Sequence, residues 1–329
     1  MKQIKTLQQA IQHFNDQQVC IDTVAALRWP EGVTCPACGH KEHYYLKTQK
    51  RWKCKDCNRQ FSVKLGTIFE DSALGLDKWL LAMWMIANCK NGVSSYEIHR
   101  AIGVTQKSAW FMLHRIRTAM KNGSLAKLGG PEGGFVEADE TFVGPDPRRM
   151  HKTRRAKILA LAANDPNLNN RAPGKTIVMG MLDREMRQVR AMVVPNVKRA
   201  TLQEKILNNV EAGSKVITDD FTAYKYALLD KFAHDVINHV EGYVQGQVHT
   251  NGIENFWSLL KRGLRGTYVA VEPFHLDRYV DEQVFRFNNR GSKEKPVNDG
   301  ERFEMLLSQV AGKRLTYSAL TGKESETTA

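Results

Sequence analysis

The chain has 329 residues, 42% of them hydrophobic, with 48 Lys and Arg against 35 Asp and Glu for a formal charge of +13, and its pI is near 9.4. That hydrophobic content is an ordinary globular one, sufficient for two or three domains, and it excludes a generally disordered chain. The longest apolar run, WLLAMWMIA at residues 79–87, falls far short of the roughly 20 residues that span a bilayer, so the positive charge predicts a nucleic-acid partner and no membrane.

The start, MKQIKTLQQAIQHF, lacks the apolar core of a signal peptide, which predicts a cytoplasmic protein with reduced thiols. Four of the six cysteines then form two Cys-x-x-Cys pairs, Cys35/Cys38 and Cys54/Cys57, with 15 residues between them. Each such turn presents two thiolates to one ion, so the pairs close a tetrahedral structural Zn²⁺ site without help from His40 or His43. Disulfides fit a reducing compartment poorly, and a redox pair needs no second copy. Cys20 and Cys89 are expected as buried small hydrophobes. The surrounding KTQKRWKCKDCNRQF is basic and aromatic, which suits a module lying on DNA, although ribbons also make protein contacts. Residues 1–72 are assigned to this N-terminal segment and ribbon.

Residues 73–122 predict a helix-turn-helix. Ser94-x-x-Glu97 is a capping box, Gly103 breaks the helix that follows, and Thr105 can cap a second helix bearing Ala109, Met112, Leu113 and Ile116 at helical spacing. In a DNA-reading unit the exposed start of the second helix enters the major groove, which nominates Gln106, Lys107 and Arg115; any αα-hairpin gives the same pattern. The apolar run at 79–87 is expected to form the core of this region.

After the Gly-rich linker NGSLAKLGGPEGG the pattern becomes mixed α/β, over residues 132–292. FVEADETFVG at 135–144 reads as a strand with Glu137 and Asp139 on one side and Glu140 on the other. From Gly144 to Ala200 there are 13 Lys and Arg against 4 Asp and Glu; RRMHKTRRAK, with Arg148, Arg149, Arg154 and Arg155, is expected to be a solvated loop that also meets phosphate. TIVMGML and RAMVVP read as strands, TLQEKILNNV as a helix, and SKVITDD as a strand ending at Asp219-Asp220, a layer of some five strands.

In HTNGIENFWSLLKRGLRG, residues 249–266, the positions Ile253, Phe256, Trp257, Leu260 and Leu264 make one apolar helical stripe. With Asn251 as N-cap, Glu254 would stand at N3, where a carboxylate suits the helix dipole. First-turn Glu residues are common, which favours capping on this stretch alone; on the other reading Glu254 is a metal ligand with Lys261 and Arg265 along its side of the helix. Asp139, Asp219 and Glu254 are separated by 79 and 34 residues; three converging carboxylates are what two-metal phosphoryl chemistry with Mg²⁺ or Mn²⁺ requires, but acids in threes are easy to find and on pattern alone any of these can be an ordinary surface acid. Over residues 293–329, ERFEMLLSQV predicts a packed helix with Phe303, Leu306, Leu307 and Val310 on one face, and TYSALTGKESETTA a mobile tail.

The motifs RWPEGVTCPACGH, VEADETFVG, VITDDFTAY, HTNGIENFWSLLKRGLRG and HLDRYVDEQVFRFNNR resemble those of insertion-sequence DDE transposases with an N-terminal zinc ribbon, the ISXO2-like group, over about residues 20 to 310. The resemblance implies an RNase H-like catalytic domain with its acids at Asp139, Asp219 and Glu254, Mg²⁺ or Mn²⁺ between them, and Lys261 handling DNA phosphate. Asp220 stands where the family more often shows a small or neutral residue; Tyr224 matches the family's Tyr. The implied function is cleavage and joining of DNA at the terminal inverted repeats of a mobile element, by at least a dimer on double-stranded DNA, with sequence-neutral contacts to target. A catalytically silent DNA-binding regulator and a hydrolytic nuclease of the same fold are the rival readings. Serine or tyrosine recombination would leave the acids unexplained.

Overall fold

Caps and periodicity set the first elements. Thr6 and Asp16 accept backbone N–H groups at the starts of α1 (Leu7–His13) and α2 (Gln17–Arg28). The computed structural model describes residues 4–121, 123, 126–130, 133–144, 150–164, 174–219, 232–237 and 249–322. The chain divides into two units, residues 1–122 with 289–329, and residues 123–288.

In the first unit, β1 (His43–Leu46), β2 (Arg51–Cys54) and β3 (Gln60–Phe61) form an antiparallel sheet in that order. Trp52 stacks on Phe61 with ring centroids 5.9 Å apart, and Trp29, at the end of α2, meets both edge-on. The apolar run becomes α3 (Leu76–Asn88), whose Trp79, Leu80, Met83, Trp84 and Ile86 are all buried. A helix apolar on most of its circumference belongs at the centre of a bundle. The Ser94–Glu97 capping box starts α4 (Ser95–Ile102), Gly103 ends it in the left-handed region, and Thr105 caps α5 (Gln106–Met120). Cys20 is buried, as expected, but Cys89 is exposed, because α3 ends there and the chain turns outward.

The second unit is built on β4 (Phe135–Val143), α6 (Lys152–Asn164), β5 (Thr176–Asp183), β6 (Gln188–Val194), α7 (Arg199–Asn209), β7 (Lys215–Asp219), β8 (Ala233–Ile237), α8 (Asn251–Gly263) and α9 (Leu276–Asn288). Its five-stranded sheet runs β6-β5-β4-β7-β8. The β4–β5 and β5–β6 pairs are antiparallel, and the β4–β7 and β7–β8 pairs parallel. Strand alternation gives the sheet two faces. Val136, Ala138, Met179, Met181 and Val216 share a core with Leu202 and Ile206 of α7. Val178, Leu182 and Val189 share the other with Ile253, Phe256, Trp257 and Leu260 of α8 and Tyr279, Val280 and Val284 of α9.

Two elements differ from the sequence expectation. The basic stretch expected as a loop is helical from Lys152, because KILALAAN supplies strong helix formers while Lys152, Arg154, Arg155 and Lys157 stay exposed. The fifth strand, β8, had no located counterpart in the sequence reading; AHDVI is short and mixed in polarity.

The chain then returns to the first unit. Asn298 and Glu301 form a capping box on α10 (Asp299–Leu307), and Phe303 packs against Phe14 and Trp84 at 5.5 and 5.4 Å. Phe303, Leu306, Leu307 and Val310 are all buried, as their spacing predicts. Part of the tail expected to lack a core pattern forms α11 (Tyr317–Thr321), capped by Thr316 and anchored by the buried Leu320. Among the described residues no helix is long and apolar enough to cross a membrane.

Candidate active site and metal centre

The four cysteines come together as their spacing predicts. Their sulfurs all lie within 4.8 Å of one another, with Cys35 to Cys57 at 3.6 Å and Cys38 to Cys54 at 3.5 Å. A tetrahedron of Zn–S bonds of about 2.3 Å has edges of about 3.8 Å, so the set fits zinc nearly as it stands. Burial pushes the Cys35 thiol up, but N–H groups of Ala37 and Cys38 and the sulfurs of Cys38 and Cys57 outweigh it and hold the thiol at about 7. At Cys38 the lowering by the His40 N–H is outweighed, and the clustered sulfurs push the thiol up to about 12. One of the four is thus readily ionised, as a metal ligand needs to be.

The acids of the second unit converge through strand register. In the parallel β4–β7 pair, Glu137 lies opposite Ile217; two residues further along each strand come Asp139 and Asp219, on the face covered by α8. Burial and then the Asp219 charge push the Asp139 carboxyl up to about 6; Glu254 adds to the rise, while hydrogen bonds from the Glu140 backbone and Trp257 oppose it. Glu254 is exposed near the start of α8, and the Thr250 hydroxyl donates to its Oε1 at 2.8 Å. Asp139 thus lies within electrostatic reach of Asp219 and Glu254, and a donor set of carboxylate oxygens suits a hard cation such as Mg²⁺ or Mn²⁺, although among the described residues only the four cysteines already stand within 4.8 Å of one another as a metal-ligating group.

Asp139 carries a stability prediction with a definite sign. Between pH 3.8 and about 6 the folded chain keeps a proton on Asp139 that the unfolded chain releases, so this group lowers stability as pH rises through that window and keeps it lower above. Asp139→Asn is therefore expected to melt at a higher temperature than the unmodified protein at pH 8 without divalent cations. The gap should close by about pH 4, below the ordinary carboxylate range. Equal melting temperatures at pH 8 would contradict the burial of Asp139 beside Asp219.

The start of α8 differs from its expected form. Thr250, not Asn251, is the N-cap, and no side chain of its own segment caps the helix. The cap comes from β4: Glu137, only 1% exposed, accepts the Ile253 N–H at 2.8 Å through Oε2 and pairs through Oε1 with Arg184 Nε at 2.6 Å. Arg184 in turn donates to the His249 carbonyl and lies 3.0 Å from His249 Nδ1. Glu254 is thereby relieved of capping, and His249 has a structural partner. Sequence reading missed Glu137, Arg184 and Thr250 in these roles, since a cap reaching across 116 residues leaves no local signature.

The basic candidates divide. Burial, then Arg265, lowers the Lys261 pKa, with Asp139 opposing and Lys175 reinforcing the shift; Lys261, Arg265 and Lys175 are thus grouped beside the acids. Arg154 and Arg155 are exposed on α6. Gln106 donates to Ser95 Oγ at 2.9 Å, and the exposed Lys107 lies over the Tyr317 ring at 4.8 Å. Arg115, expected to face DNA, is instead 4% exposed; it donates to the Glu70 carbonyl and lies near Trp79 and Phe111. Its place on α5 turns it into the bundle. Arg148, Arg149, Asp220 and Tyr224 lie outside the described residues.

Comparison with known proteins finds a match within each unit. Residues 131–288 match the family described as the ISXO2-like transposase domain, and residues 15–60 a transposase zinc-ribbon domain. The chain is 37% identical over 102 residues to an uncharacterized transposase-like protein of Haemophilus influenzae, an alignment of 31% of this chain and 82% of the relative. It is 27% identical over 261 residues to an uncharacterized protein in transposable element ISH50 of Halobacterium salinarum, covering 77% and 85% of the two chains. A simian T-cell lymphotropic virus intasome in complex with PP2A regulatory subunit B56 gamma aligns over 62% of this chain and 64% of that chain at 14% identity, with a TM-score of 0.27, too low to argue from.

Proposed function

We infer the function from family and site together: this chain belongs to the ISXO2-like transposases, and we propose that it is a DDE enzyme that cleaves DNA at the ends of an insertion sequence and transfers the freed strands to a target. The carrying observation is the meeting of Asp139 and Asp219 on adjacent parallel strands with Glu254 close enough to raise the Asp139 pKa. A sheet of three antiparallel strands extended by two parallel ones, with helices on both faces, supports reading the second unit as RNase H-like.

Asp139, Asp219 and Glu254 would hold the divalent cations. When bound, such ions supply Lewis-acid activation of the attacking oxygen and stabilisation of the leaving oxygen in an in-line displacement. The chain's own contribution is orientation and charge. The Thr250 hydroxyl donates to Glu254 and fixes one of its oxygens, and the Glu137 cap sets where α8 begins and hence where Glu254 stands. Lys261, Arg265 and Lys175 would receive the DNA phosphates beside the acids, and Arg154 and Arg155 the flanking or target duplex, through contacts indifferent to sequence.

In the first unit the helix pair α4–α5 is proposed as the helix-turn-helix, with Gln106 and Lys107 reading the terminal repeats and the zinc-held ribbon steadying the complex on double-stranded DNA. Bridging two element ends calls for at least a dimer. The test is incubation with DNA carrying the native flanking ends and Mg²⁺, scored for free 3′-OH ends and for their joining to target. Hydrolysis without joining would favour a nuclease; binding without either would favour a regulator.

A further inference from the structure

The helix that carries Glu254 also carries, one turn later, a buried indole whose polar edge does not face solvent. Trp257 is 4% exposed, and its Nε1 donates to Asp139 Oδ2 at 2.9 Å. Packing alone does not call for tryptophan at this place. An indole N–H is a donor only and needs an acceptor when buried; here the acceptor is one of the three acids. Phe256 meets the indole edge-on at 5.1 Å and fixes its plane.

The sheet is cut to admit that ring. Gly180 of β5 is the cross-strand partner of Asp139, so it shares the face that α8 covers. A Cβ at Gly180 would lie 2.6 Å from Cη2 and 2.7 Å from Cζ2 of Trp257, and 2.9 Å from Ile253 Cδ1. These are separations that close-packed interiors do not contain. Any other residue at 180 would displace the indole or the whole of α8, and with it the Asp139 hydrogen bond.

We propose that Trp257 is a positioning residue of the acid site, locking the Asp139 carboxylate by its N–H, and that Gly180 is the residue that makes room for it. The indole claims Oδ2 and stops the carboxylate rotating, so its remaining lone pairs keep one orientation toward an incoming cation. One helix thus delivers a carboxylate of its own and the donor that fixes a second. The inference rests on Asp139 being a metal ligand, as proposed above. Partners that orient metal ligands in this way are commonly worth 10- to 100-fold in affinity or rate.

The probe is Mn²⁺ alone, titrated by electron paramagnetic resonance against the full-length, zinc-loaded chain, with thermal melts to establish folding. Trp257→Phe keeps a ring and removes the donor; Gly180→Ala keeps the donor and displaces it. Both are expected to weaken Mn²⁺ binding by about 10- to 100-fold, with cleavage by the Phe variant recovering at saturating Mn²⁺. Asp139→Asn is the reference for the underlying reading. If Asp139→Asn binds Mn²⁺ like the unmodified protein, that reading fails. If Asp139→Asn loses binding while both other variants retain it, the acid site stands and the role of Trp257 is overturned. Should the variants not fold, the unmodified protein still decides. Trp257 is the one tryptophan between residues 123 and 288, so Tb³⁺ bound beside Asp139 must emit on tryptophan excitation, and a silent bound ion would overturn the proposal.

Discussion

Glu137→Ala is expected to cost the second unit about 3–5 kcal/mol, the range for breaking a buried ion pair by removing one partner. The carboxylate is 1% exposed and serves two groups at once, the Ile253 N–H of α8 and the Arg184 guanidinium. Its loss leaves a helix-start N–H without an acceptor inside the protein and a cation without its nearest counter-charge. Glu137→Gln keeps an acceptor for Ile253 and should lose less, about 1.5–3 kcal/mol, the worth of a hydrogen bond to a charged group. Urea unfolding followed by hydrogen exchange of the β4 and α8 amides reads both. A loss below about 1 kcal/mol for Glu137→Ala, the level of an exposed pair, would mean that water replaces the cap. Because α8 carries Glu254, the Ala variant should also lose cleavage in proportion to helix displacement, although Glu137 touches no reacting atom.

Zinc removal should have the larger effect on the first unit. Around the cysteines the ribbon has little to bury beyond Trp52, Phe61 and Val63, with Trp29 against them. Three short strands with so small a core do not hold by packing alone. Structural zinc contributes about 10–16 kcal/mol of apparent binding free energy at neutral pH, which in such modules is folding free energy. Chelation, or Cys54→Ser, is therefore expected to abolish amide protection at Trp52 and Phe61 while leaving β4 and α8 protected. The same treatment should release one zinc per chain. Persistent protection after chelation would show that the aromatic cluster alone folds the ribbon.

Much of this organisation was legible in the residues because the signals are local. Two Cys-x-x-Cys turns declare a four-ligand site wherever they occur, and the Ser94–Glu97 box and Gly103 mark the ends of α4 within a few residues. The stripe from Ile253 to Leu264 gave α8 its buried face, and all five of its positions are buried. What escaped is what depends on distant partners. Thr250, Asn251 and Glu254 offer several local ways to start a helix, and the actual start is set by a carboxylate on β4. Trp257 reads as one more apolar position until the strand opposite it is known to carry Gly180. Arg115 sits among apolar residues of α5, and only the neighbouring Glu70 carbonyl and Trp79 ring explain why a guanidinium can be buried there. The helix in the basic stretch was hidden by its own charge, since cations scattered on every side leave a weak amphipathic signal.

The central claim is that Asp139, Asp219 and Glu254 form one metal-dependent active site. Asp219 tests it most directly, because Asp219→Asn at the half-buried end of β7 removes charge while nearly keeping shape. The measurement is Mg²⁺-dependent cleavage of DNA bearing the native flanking ends, with the variant confirmed as folded and zinc-loaded. The account predicts 3′-OH ends from the unmodified protein and a fall of at least about 1000-fold in the variant, equivalent to several kcal/mol of transition-state stabilisation. Cleavage by Asp219→Asn at the unmodified rate would contradict it.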